Sequence, residues 1–135
     1  MSDQRVIEFY KRIGFYNERL YKMMIDNKHL VDSYGSDKSS FYGIYVNDKG
    51  NITVVLPKIT NCLDEIVWVH EYAHLLFDHD YLNGDETLPS IMEALFINMY
   101  VSDKEEIIKL TEKEIKNSKC LEHTKAKELK ISLIE

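Results

Sequence analysis

From Gln4 to Leu30 the apolar residues Val6, Phe9, Tyr10, Ile13, Tyr16, Leu20, Tyr21 and Met24 recur at helical intervals. The pattern predicts an N-terminal helix within residues 1–30 with one face in the core. Gly14 is its weak point, costing about 1 kcal/mol relative to alanine inside a helix. The stretch Asp32 to Ser40 is rich in Ser, Asp and Gly, which ends the helical pattern. Phe41 to Val46 and Asn51 to Leu56 are then rich in β-branched and aromatic residues, with Asn47-Asp48-Lys49-Gly50 between them. That is a hairpin signature over residues 41–56, closed by Pro57.

Asn61 is a good N-cap, and Asp64 and Glu65 follow in the first turn, so a helix is expected from there through Phe77. A polar loop should occupy Asp78 to Leu88, and a further helix should open near Pro89-Ser90 and run to about Val101. Residues 103–135 read as one or two amphipathic helices broken near Asn117-Ser118, their lysines and glutamates forming i,i+4 pairs on a solvated face. Helix, hairpin, then helices is the order of an α+β domain with a small antiparallel sheet. At 135 residues, with no repeat or linker, the chain reads as a single domain over residues 1–135.

Composition narrows the classes. An apolar content of 44% is enough for a core and excludes disorder as the dominant state. The longest apolar run, Ile91 to Val101, is broken by Glu93 and Asn98 and is too short for a membrane span. The N-terminus lacks the basic start and apolar stretch of a signal peptide. Cys62 and Cys120 make no C-x-x-C pair, so a cytoplasmic chain with reduced thiols is expected. Charge is uneven. Residues 59–102 hold eight acids (Asp64, Glu65, Glu71, Asp78, Asp80, Asp85, Glu86 and Glu93) and neither lysine nor arginine. A field of that sign repels phosphate backbones and favours cations, which argues against direct nucleic-acid binding.

The middle third also carries the chemistry. His70-Glu71-Tyr72-Ala73-His74 fits H-E-x-x-H inside an expected helix. Residues four apart share a helix face, so both imidazoles can reach one ion. Glu71, rotated roughly 100° from His70, can stand beside that ion without binding it. Every other residue from Ile66 to Phe77 is apolar or aromatic. A helix apolar all round is buried, and three ionisable groups within it are costly unless paired or metal-bound. Imidazole nitrogen suits zinc.

A catalytic zinc needs a third protein ligand and an open position. Glu93 is the expected ligand: it lies on the next helix among Ile91, Met92, Ala94, Leu95 and Phe96. The competing role for Glu93 is a capping box, Ser90-Ile91-Met92-Glu93. Asp80 stands where a second H-E-x-x-H variant places its ligand, but Phe77 replaces the glycine that variant needs, and His79 is one position short.

The run from the hairpin through Glu93-Ala94-Leu95-Phe96-Ile97-Asn98 resembles the small HExxH metallopeptidases of the ImmA/IrrE type, and more broadly the gluzincins. The resemblance covers about residues 41–102. It implies a zincin-like fold and a zinc-dependent endopeptidase with His70, His74 and Glu93 as ligands and Glu71 as general base. It also implies a regulatory role in which the substrate is a protein, such as a DNA-binding repressor. Tyr72, His79, Tyr81 and Tyr100 are candidates for stabilising an oxyanion by nearness in sequence alone. The alternative is a catalytically inactive zinc-binding protein that docks a partner through its terminal helices. The carboxylate at Glu71 favours the enzyme, because a binding-only site has no use for it.

Overall fold

The computed structural model describes residues 2–32, 43–46, 51–77 and 86–135. The expected turn Asn47–Gly50, and His79, Asp80 and Tyr81, lie outside them. The chain is mixed α/β and mostly helical. In order it forms α1 (Gln4–Arg12), α2 (Glu18–Asp26), β1 (Lys28–Val31), β2 (Gly43–Val46) and β3 (Ile52–Pro57). Four helices follow: α3 (Cys62–Phe77), α4 (Thr87–Tyr100), α5 (Lys104–Asn117) and α6 (Leu121–Ile134).

The single N-terminal helix expected over residues 1–30 is two helices and a strand. Gly14 takes a left-handed φ of 81°, which ends α1 at the weak point in its sequence. Asn17 then restarts the helix, its side chain accepting the Leu20 N–H at 3.1 Å. The break is pinned to α3, because the Asn17 N–H donates to the Tyr72 hydroxyl (2.8 Å) and that hydroxyl donates to the Asn17 carbonyl (3.1 Å). At the far end of α2, the Asn27 carbonyl accepts the Val54 N–H at 3.0 Å and starts the pairing of β1 with β3.

The expectation of an antiparallel sheet is corrected accordingly. The sheet is mixed, in the order β1-β3-β2. Its β1–β3 pair is parallel, running from Lys28 opposite Val54 to Val31 opposite Pro57, while β2 runs antiparallel to β3. A parallel neighbour needs a long connection, and the partner of Lys28–Val31 lies too far along the chain for local periodicity to reveal it.

Helix α3 is the hub. Ile66, Trp68, Val69, Tyr72, Ala73 and Leu75 are all buried. The Trp68 indole N–H donates to the Pro57 carbonyl at 2.7 Å, joining α3 to the end of β3, and the Tyr10 hydroxyl donates to the Val69 carbonyl, joining it to α1. Asn61 caps the helix by accepting the Asp64 N–H at 3.2 Å. Glu65, fully buried, takes a bidentate pair from Arg5 at 2.8 and 2.9 Å. The Arg5 guanidinium also lies over the rings of Phe96 and Tyr100, which ties α1, α3 and α4 together. Breaking a buried pair from one side leaves an uncompensated charge. Because Arg5 itself is partly exposed, Arg5→Met should destabilise the fold by about 3 kcal/mol, the lower end of that range, as measured by urea unfolding. A loss within 0.5 kcal/mol would show that water reaches Glu65.

Candidate metal centre

His70 and His74 project from one face of α3, one turn apart. Their Nε2 atoms are 3.2 Å apart, with ring planes inclined at 72°. His70, Glu71 and His74 form a group that could hold a metal ion, their ligand atoms all within 4.8 Å of one another. Burial of His74 and Glu71 follows from the apolar sequence around them.

Two glutamates from α4 and its approach address His70 from opposite edges of its ring. Glu93 Oε2 lies 2.9 Å from His70 Nδ1. Glu86 Oε2 lies 2.8 Å from His70 Nε2 and 3.2 Å from His74 Nε2. The two nitrogens of an imidazole point in different directions, so the two carboxylates meet His70 on separate edges of its ring. Glu93, the ligand expected from sequence, lies at the Nδ1 edge of His70, and Glu86 lies at the Nε2 edge, on the face shared by both histidines.

The local reason is the start of α4. The helix begins at Thr87, ahead of the expected Pro89-Ser90, so Ser90 is inside it and no Ser90–Glu93 capping box forms. Glu86 occupies the N-cap position, yet its side chain makes no cap hydrogen bond, because its carboxylate is turned onto the imidazoles. A glutamate in a polar loop gave no sequence signal of this role.

Electrostatics follow the geometry. Burial alone would push the His70 imidazole down, but Glu93 and Glu86 beside it hold its pKa well above the ordinary value. Burial opposes ionisation of Glu86, yet hydrogen bonds from both imidazoles keep it below the usual carboxylate range. Glu93 is likewise lowered against its burial, by Lys130 and His70. Glu71 goes the other way: burial raises it, only partly offset by the two histidines. Its Oε1 is 3.8 Å from His70 Nε2, and its Oε2 is buried without a hydrogen-bond partner among the described residues. A buried carboxylate oxygen with nothing to accept from is a place for a water or a substrate proton.

Among the oxyanion candidates, Tyr72 is committed to Asn17 and Tyr100 stacks on Phe96 at 5.0 Å, so neither serves the site. His123 of α6, which sequence reasoning passed over, does reach it: its Nε2 is 3.3 Å from Glu86 Oε1. The solvated pairing expected along the tail also differs in part, since Glu114 of α5 pairs across to Lys127 of α6 at 2.9 Å. Between α3, α5 and α6 lies a cavity of about 210 Å³. Leu63, Ile66, Val67, Ile107 and Leu110 line it together with the charged groups of the site, among them His70, Glu71, Glu93 and Lys130.

No helix among the described residues is long and apolar enough to cross a membrane. No family model matches this chain, and no curated protein or solved structure matches it either.

Proposed function

We propose that this chain is a zinc-dependent endopeptidase with a zincin-like arrangement of the ImmA/IrrE type, acting on a protein or peptide substrate. The observation that carries the reading is Glu71, a buried carboxylate beside two convergent imidazoles with one oxygen free to accept a proton. The donor set fits zinc. Tetrahedral bonds of about 2.0–2.1 Å place neighbouring ligand atoms about 3.3 Å apart. His70 Nε2, His74 Nε2 and Glu86 Oε2 are spaced at 2.8, 3.2 and 3.2 Å. In this proposal Glu86 is the third ligand. Glu93 accepts the His70 Nδ1–H, which fixes the tautomer that leaves Nε2 free to bind.

Zinc held there would supply Lewis acidity, polarising a carbonyl and making water more acidic. The protein's own part is proton handling and positioning. Glu71 accepts a proton from the attacking water and returns it to the departing amine, work that its raised pKa suits. The cavity beside Glu71, with Leu63, Ile66, Val67, Ile107 and Leu110 in its wall, positions the substrate. At about 210 Å³ it exceeds the roughly 150 Å³ that holds a benzene ring in an engineered protein core, so it has room for one aliphatic or aromatic side chain next to the bond being cut. The acidic middle third favours basic or neutral peptide segments around that side chain. A DNA-binding repressor is the substrate the sequence resemblance suggests.

The test is cleavage of a mixture of peptides carrying apolar side chains, read by mass spectrometry. Cleavage should stop with a zinc chelator and return on adding zinc. Zinc binding with no cleavage of any peptide or candidate repressor would favour an interaction module instead.

A further inference from the structure

Helix α6 carries a buried stripe of Ala126, Lys130 and Ile134, spaced four residues apart. An apolar residue is expected at the middle position, and a lysine there is costly unless it is paired. Lys130 is 5% exposed and its Nζ lies 3.4 Å from Glu93 Oε1. His123 lies seven residues earlier, on the same side of the helix, with its Nε2 3.3 Å from Glu86 Oε1. The two contacts have the same form. Each glutamate turns Oε2 towards His70 and Oε1 towards α6.

From this matched arrangement we infer that α6 is a working part of the metal centre, with Lys130 the positioning residue that holds Glu93 against His70 and His123 the lesser brace on Glu86. The inference rests on the zinc reading above and extends it beyond the H-E-x-x-H helix. An isolated Glu93 carboxylate has two oxygens and several rotamers to choose among. Lys130 engages one oxygen and so aims the other at Nδ1, which keeps Nε2 directed at the ion. His123, half exposed, restrains Glu86 in the same sense but with water competing for it. The backbone of α6 is held independently, since the Asn98 side-chain amide donates to the Leu133 carbonyl at 3.1 Å and Lys127 pairs with Glu114. Loss of Lys130 therefore need not undock the helix.

The test is zinc affinity of the full chain, measured by competition with a chromogenic chelator, for wild type, Lys130→Met, Lys130→Arg and His123→Ala. Lys130→Met should bind zinc about tenfold more weakly, at the lower end of the effect of outer-shell partners. Lys130→Arg should recover most of that loss, and His123→Ala should lose less than Lys130→Met. In the zinc-loaded protein the His70 Nδ1–H proton resonance, downfield in wild type, should move or vanish by exchange in Lys130→Met and return in Lys130→Arg. A purely structural lysine would change the melting temperature and leave that resonance where it is. Wild-type affinity and an unmoved resonance in Lys130→Met would overturn the inference alone. A wild type that binds no zinc would overturn the zinc reading and this inference with it.

Discussion

Glu71→Gln should retain zinc at wild-type affinity and lose peptide hydrolysis by about 10²- to 10⁴-fold, the range for removing a positioned general acid–base. The amide keeps the shape of the side chain and cannot accept a proton at the oxygen now left without a partner. Burial raises the Glu71 pKa, so removing its charge relieves a desolvation cost and the variant should melt no lower than wild type in the metal-free state. Steady-state cleavage, zinc content and thermal melting read the three consequences separately. Hydrolysis within a factor of ten of wild type would remove Glu71 from the chemistry.

Glu86→Ala should have the largest effect on the metal. It removes the only carboxylate oxygen that lies within 3.2 Å of both Nε2 atoms among the described residues. Zinc affinity should fall by more than about 100-fold, beyond the range of outer-shell partners. Glu93→Ala should stay within about 10- to 100-fold, because Glu93 acts on the far edge of His70. The opposite order would give Glu93 the ligand position expected from the sequence. Wild-type affinity in both variants would move the third ligand to Asp80 or His79. Since Glu86 is held ionised against burial by both histidines and Glu93 by Lys130 and His70, each alanine also removes a stabilising pair from the metal-free protein. Affinities should therefore be compared below the melting temperature of each variant.

The helix that carries the histidines was legible because everything that specifies it is local. Asn61 caps it, its apolar residues surround three polar ones, and i,i+4 spacing places two imidazoles together. The start of α6 after Ser118 was legible for the same reason. What failed was non-local. Lys28–Val31 is a strand only because β3 lies beside it, and no pattern in four residues announces a partner more than twenty positions away. Gly14 is a weak point in the sequence, but its left-handed turn lets Tyr10 of α1 and Tyr21 of α2 both pack onto Tyr72 of α3. At the site, Glu93 drew attention because it stands alone among apolar residues, and it is indeed engaged with His70. Glu86 and His123 were passed over because each sits in a polar stretch, where sequence does not distinguish a solvated side chain from one turned inward. Lys130 was hidden among other lysines of the tail, although its place on the Ala126–Ile134 stripe was a readable signal.

The most direct measurement is anomalous diffraction at the zinc edge from crystals of the full chain grown with one equivalent of zinc. A single peak about 2.0–2.2 Å from His70 Nε2, His74 Nε2 and a Glu86 carboxylate oxygen, with Glu71 beside it but not bound, is the predicted result. No peak between the imidazoles, or a peak bound by residues elsewhere in the chain, would contradict it.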